Sequence, residues 1–280
     1  MRAAVMRGHA LFIEDIAEPT PGAGQVLVEV LACGICGSDL HALKHAEKLV
    51  ASAAESGAPF MFDIDAGLVM GHEFSARVIE PGPGVALQAG DVVTSMPVML
   101  SSAGFAGIGY SNEFNGGYAE RMLLAGPLCL KVPEGLDPRH AALTEPMAVG
   151  VHAVARSGIA KGDAALVMGC GPVGLAVISA LKLAGIDPIV AADFSPARRA
   201  FATRLGAHEV VDPKQEPGID AWNRVDGTRP LVIFEAVGVP GMLDRAMRDA
   251  PRQTRILVVG VCMETDNIWP MLGINKELTI

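Results

Sequence analysis

From residue 164 onward, short continuous apolar runs alternate with longer stretches whose apolar residues recur every three or four positions. Ala164–Met168, Ile189–Ala192, Glu209–Val211, Leu231–Phe234 and Arg255–Val259 read as strands, and the stretches opening near Leu175, Ala197 and Gly241 read as helices. Unbroken apolar strands alternating with helices predict a parallel sheet covered on both faces, a doubly wound α/β domain. Before residue 148 the pattern is different. Val26–Leu31, two strands within Ser75–Val93 around the turn Glu80–Gly84, the segment Gly116–Leu124 and Leu128–Val132 predict a β-rich unit. Residues 42–68, with Pro59–Phe62 near the end, read as an irregular, partly helical excursion. Leu136–Ser157 reads as a helix interrupted by Pro146. The expected division is 1–147 and 148–280.

The sharpest motif lies between the first strand and helix of the second domain. Gly169-Cys170-Gly171-Pro172-Val173-Gly174 is a G-x-G-x-x-G turn, and the next apolar run ends on Asp193. Such a turn needs Gly169 for its tight bend, Gly171 for close approach to a pyrophosphate and Gly174 for helix–strand packing. The helix N-terminus offers free N–H groups to phosphate. Asp193 can accept from ribose hydroxyls, and its charge opposes a 2′-phosphate, so the expected cofactor is NAD rather than NADP. The plainer reading is a glycine turn without ligand, with Asp193 capping the helix that follows.

Composition narrows the partners. The net charge of −9 and pI near 5.2 argue against nucleic acid and anionic membranes. No apolar run reaches the ~18 residues of a spanning helix. The early Glu14, Asp15 and Glu18 do not suit a signal peptide, so a cytoplasmic protein is expected. Five cysteines in 280 residues make no disulfide framework. Cys33, Cys129 and Cys262 read as small core residues and His152 as a packed or cleft-lining histidine, while His9, His45, His140 and His208 read as surface residues.

Candidate chemistry concentrates in the first domain. Cys33-Gly34-Ile35-Cys36-Gly37-Ser38-Asp39-Leu40-His41 gathers thiols, a hydroxyl, a carboxylate and an imidazole, and Gly71-His72-Glu73 adds more. With no second C-x-x-C, a four-cysteine zinc site fails. Cys36 with His72 suits two ligands of a catalytic zinc, which needs three protein ligands and an open position. Glu145 lies in an apolar segment, where a carboxylate is costly unless paired or metal-bound. It could equally cap the helix and meet solvent.

These pieces, with Gly90-Asp91-Val92-Val93, Gly116-Gly117-Tyr118-Ala119-Glu120, Glu145-Pro146 and Val259-Gly260-Val261, occur in one order along nearly the whole chain. In that order the chain resembles the zinc-dependent medium-chain dehydrogenase/reductases, the alcohol and polyol dehydrogenases. The resemblance implies a GroES-like β-rich catalytic domain followed by a Rossmann domain. It implies Cys36, His72, Glu73 and Glu145 around one catalytic zinc, the two glutamates sharing the remaining positions. It further implies Asp39 orienting His72, Ser38 and His41 as a proton relay, and Val259, Gly260 and Val261 lining the nicotinamide. The cofactor segment Gly169, Gly171, Pro172, Val173, Gly174 and Asp193 falls in place, with Arg198 beside the adenine or in solvent. The implied reaction is reversible hydride transfer between an alcohol (polyol, diol, sugar or amino alcohol) and NAD, in a homodimer or homotetramer. The family's structural zinc uses four close cysteines after Gly90-Asp91. Residues 94–121 have none, so no structural zinc is expected. The chain stops where the family enters its last Rossmann strand, so the comparison suggests a truncated sheet and a fragment of uncertain activity. Two alternatives remain: a zinc-free NADPH-dependent alkene or quinone reductase of the same superfamily, and an inactive nucleotide-binding fragment.

Overall fold

The computed structural model describes residues 1–58, 61–101 and 104–280. Pro59 and Phe60 of the expected 42–68 excursion lie outside the described residues. The chain divides into two compact units, Met1–Glu145 and Pro146–Ile280.

The first unit opens with an antiparallel pair, β1 (Arg2–Arg7) and β2 (Ala10–Asp15). Strand β3 (Gln25–Cys33) leads into helix α1 (Gly37–Ser56), and then come β4 (Phe74–Pro81), β5 (Val92–Ser95), β6 (Val98–Ser101), β7 (Gly104–Gly107), β8 (Arg121–Ala125) and β9 (Cys129–Lys131). The main sheet is antiparallel with order β8-β3-β4-β5-β9. Its core alternates along the strands, with Val26, Val28, Ala76, Val78, Met122 and Leu124 buried on one side. The 42–68 segment is more regular than expected. Helix α1 runs to Ser56, with one non-helical residue at His45, and buries Ala42, Ala46, Leu49 and Ala53. Pairing of β6 with β7 also occupies the Gly- and Ser-rich stretch where the sequence shows no strand signal.

Helix α2 (Pro138–Ala141) and helix α3 (Thr144–Ser157) replace the single interrupted helix. The break falls before Thr144, not at Pro146. Pro146 sits in the first turn of α3, where a missing N–H costs no helical hydrogen bond.

The second unit continues with β10 (Ala164–Met168), α4 (Pro172–Leu183), β11 (Ile189–Ala192), α5 (Pro196–Leu205), β12 (Glu209–Val211), α6 (Gly218–Asp226), β13 (Leu231–Glu235), α7 (Met242–Asp249), β14 (Arg255–Val258) and α8 (Pro270–Lys276). The sheet is parallel throughout, in the order β12-β11-β10-β13-β14. Alternate residues of one strand reach opposite cores. Ala165 and Val167 pack with Val177, Ile178 and Leu181, while Ala164 and Leu166 pack with Trp222 and Met247. That two-sided burial is why these strands are apolar without a gap. Helices α6 and α8 were not evident in the sequence. No helix among the described residues is long and apolar enough to cross a membrane.

Candidate metal centre and dinucleotide loop

The first site is built by one strand pairing. Strand β3 ends at Cys33, which pairs with Phe74 at the start of β4, and the Gly34 N–H donates to the Glu73 carbonyl at 2.7 Å. The chain then turns into α1 at Cys36 while His72 and Glu73 precede β4. Residues far apart in sequence are thereby brought together. One ligand atom each from Cys36, His72 and Glu73 lies within 4.8 Å of the others. Thiol, imidazole and carboxylate at this spacing are a donor set that suits a zinc ion. Glu145 lies outside that set and is half-buried. Burial raises its pKa, with the His72 charge opposing the rise.

Asp39 is the anchor beneath the cluster. It is 2% exposed and accepts from the Cys36 backbone N–H at 2.9 Å and the Tyr118 hydroxyl at 2.8 Å. The Tyr110 hydroxyl reaches its other oxygen at 3.3 Å, and His72 Nδ1 lies 3.4 Å from that same oxygen without an aligned hydrogen bond. Burial disfavours a charged His72, but the closeness of Asp39 and Cys36 outweighs it and pushes the pKa up to about 10. Burial likewise works to raise Asp39, and the neighbouring His72 imidazole with the bonds from Tyr118 and the Cys36 backbone more than reverse it, leaving the carboxyl below its ordinary value. Glu73 is raised chiefly by burial. Both tyrosine hydroxyls are raised by burial and by the Asp39 charge. Cys33 is pushed up to about 12 by burial and then by Asp39, so it behaves as a neutral packing thiol.

Ser38 is half-buried and within 2.8 Å of the Tyr110 hydroxyl; His41 is half-buried one turn further along α1. Sequence reasoning gave no role to Tyr110 or Tyr118. They are the chain's two tyrosines, and only the fold brings both hydroxyls to Asp39. Gly34 is also more than a spacer. A Cβ there would run into the Glu73 carboxylate and stand 3.2 Å from Glu73 Cβ.

In the second unit the glycine loop has the shape its sequence requires. Gly169 has φ +93°, a conformation that favours glycine. A Cβ on Gly174 would strike the Gly169 carbonyl oxygen, whereas a Cβ on Gly171 would meet no protein atom within 4 Å. Gly171 caps α4, with Pro172 and Val173 in its first turn, so the open space lies at a helix N-terminus. That cradle fits a pyrophosphate. Asp193 is buried at the end of β11, accepting from Cys170 N–H at 2.8 Å and Ser195 N–H at 2.7 Å. The exposed Arg198 guanidinium lies 3.8 Å from its carboxylate. The Val259 and Gly260 N–H groups both donate to the Glu235 carbonyl at 2.8 Å, and Val261 follows exposed. One expectation is corrected: Cys262 is exposed rather than a core residue. Cys33 and Cys129 are partly buried and pack against the core of the first unit, and His152 is exposed.

Residues 22–134 match the alcohol dehydrogenase GroES-like domain and residues 172–280 match the zinc-binding dehydrogenase domain. The chain is 35% identical to (R,R)-butanediol dehydrogenase of Bacillus subtilis over 96% of its own length and 79% of that protein. The crystal structure of 2R,3R-butanediol dehydrogenase from Bacillus subtilis superposes with a TM-score of 0.81 at 34% identity, covering 99% of this chain and 82% of the other. A zinc-binding dehydrogenase structure from Sinorhizobium meliloti, bound to NADP, gives a TM-score of 0.85 at 27% identity over 99% and 82% of the two chains.

Proposed function

We propose that this chain, which belongs to the zinc-type medium-chain dehydrogenase family and is an oxidoreductase acting on alcohols, oxidises a secondary alcohol of a diol or polyol with NAD. The balanced reaction is alcohol plus NAD⁺ to ketone, NADH and a proton. The observation that carries this reading is the convergence of the Cys36 thiol, the His72 imidazole and the Glu73 carboxylate on one point. Cys36, His72 and Glu73 would hold one zinc, with Glu145 as a further carboxylate nearby. When bound, zinc supplies a Lewis acid that lowers the pKa of the substrate hydroxyl, and the nicotinamide accepts the hydride.

The chain's own groups do the rest. Asp39 fixes the orientation of the His72 ring, which sets ligand geometry and basicity. Ser38 Oγ takes the hydroxyl proton of the substrate and gives up its own toward the His41 imidazole. Gly171 and the start of α4 receive the pyrophosphate, Asp193 the adenosine ribose, and Arg198 borders the adenine. Val259, Gly260 and Val261 flank the nicotinamide. NAD is favoured because a 2′-phosphate would meet the fixed Asp193 carboxylate. The diol class is supported by the butanediol dehydrogenase relative.

Metal analysis of folded protein, paired with turnover of butane-2,3-diol, sorbitol and L-threonine, tests the reading. About one zinc per chain is expected, with Cys36→Ala losing both metal and at least ~10³-fold in turnover. A metal-free protein that reduces alkenes or quinones with NADPH would replace this reading with the zinc-free reductase.

A further inference from the structure

We propose that Tyr110 is a positioning residue for the proton relay, acting by fixing the Ser38 hydroxyl. The inference rests on the reading of Ser38 given above. Tyr110 is 4% exposed, in the turn that follows β7. Its hydroxyl donates to Ser38 Oγ at 2.8 Å and lies 3.3 Å from Asp39 Oδ1. Its ring stands with its centroid 5.3 Å from that of His72, inclined at 45°. One residue thus touches the relay hydroxyl, the orienting carboxylate and the metal-binding imidazole.

Proton counting makes the arrangement directional. A tyrosine hydroxyl has one proton to donate, and the Ser38 contact has the ordinary length of an O–H···O bond while the Asp39 contact is long. A serine hydroxyl has one donor and two acceptor sites. With Tyr110 on one acceptor site, Ser38 keeps the other for the substrate hydroxyl and must send its own proton elsewhere. The Tyr110 bond also stabilises the negative charge that builds on Ser38 Oγ as the protons move. Without it the half-buried Ser38 rotor can turn its proton toward solvent or toward Asp39, and the relay loses its starting geometry. Tyr118 provides the contrast, since its hydroxyl bonds Asp39 at 2.8 Å and Gly34 O at 3.3 Å. Burial alone requires a partner for a tyrosine hydroxyl, and Asp39 satisfies Tyr118. Tyr110 instead makes its shorter bond to Ser38.

The test compares Tyr110→Phe, Tyr118→Phe, Ser38→Ala and the Tyr110→Phe/Ser38→Ala double variant in the full zinc-loaded chain. Turnover of butane-2,3-diol, sorbitol and L-threonine with NAD is measured in H2O and D2O, and the visible spectrum of each cobalt-substituted protein is recorded. Tyr110→Phe keeps the ring against His72, so its cobalt spectrum should match the parent. Its kcat should fall on the order of 10- to 100-fold, with KM for NAD within about twofold and a larger solvent isotope effect. In the Ser38→Ala background the same change should cost less than about twofold. Unchanged kcat in Tyr110→Phe overturns the proposal, as do losses that multiply in the double variant. A cobalt spectrum displaced in Tyr110→Phe as far as in Tyr118→Phe would also overturn it, by assigning the hydroxyl to His72 orientation. Full activity in Ser38→Ala, or no turnover by the zinc-loaded parent, overturns the relay reading itself and is told apart by the parent and the single serine variant.

Discussion

Two glycines of one turn should respond to alanine in opposite ways. Gly174 lies in the first turn of α4, and Gly→Ala in a helix ordinarily gains about 1 kcal/mol. Here the added methyl would penetrate the Gly169 carbonyl oxygen and stand 2.9 Å from its carbon, with Ala236 Cβ at 3.5 Å. Backbone on one side and the β13–α7 loop on the other leave the methyl no room. Overpacking costs 1–3 kcal/mol, and a clash with backbone belongs at the upper end, about 3 kcal/mol. The net loss is about 2 kcal/mol, or roughly 8 °C for a unit of this size. Gly171 has φ −70° and open space around its missing side chain, so Gly171→Ala loses only the preference for glycine at the helix cap, within about 1 kcal/mol. The methyl instead fills the phosphate cradle. Thermal unfolding with and without NAD separates the two. The parent at about a hundredfold excess over Kd gains about 2.7 kcal/mol. Gly171→Ala should melt near the parent without NAD and lose most of that gain; Gly174→Ala should melt low before NAD is added. A Gly174→Ala protein as stable as the parent, or Gly171→Ala with undiminished NAD stabilisation, would refute the steric reasoning.

Two further predictions follow from single contacts. Gly34→Ala should swing the Glu73 carboxylate away from Cys36 and His72, lowering zinc retention against a chelator by about 10-fold or more while the melting temperature falls little; unchanged zinc retention would remove Glu73 from the ligand set. Lys276 Nζ donates to the carbonyls of Met247, Arg248 and Ala250 at 3.2, 2.5 and 2.7 Å, closing the C-terminus of α7. Lys276→Met keeps the aliphatic stem but strands those carbonyls, and should cost about 2 kcal/mol in a urea titration.

The parallel sheet was legible because two-sided burial writes strands as unbroken apolar runs. The glycine turn was legible because each glycine answers a separate steric demand. Helix α1 was harder to see. Its buried stripe, Ala42, Ala46, Leu49 and Ala53, has helical spacing, but alanine carries a weak hydrophobic signal amid charges. Helices α6 and α8 are short, and each starts beside a proline that reads as a turn. At the site, local patterning supplied the donor types, and only the family resemblance placed them together. Cys36, His72 and Glu73 converge through the register of β3 on β4, which local patterning does not encode. The tyrosines escaped notice for the same reason, since their contacts with Ser38 and Asp39 exist only once the β7–β8 region has folded over the start of α1.

The crowding at Asp39 constrains the order in which this lobe can change. Asparagine there would turn one acceptor into an amide donor facing Tyr118 and the Cys36 N–H on one side, or Tyr110 and His72 on the other. Glutamate would carry both oxygens a bond too far. Each tyrosine, by contrast, can become phenylalanine and leave only an unused lone pair. Any single-step route toward a different arrangement therefore opens at Tyr110 or Tyr118 and reaches Asp39 last. Sequences that open the route at Tyr110 would lose relay speed before they lose the capacity to hold a metal.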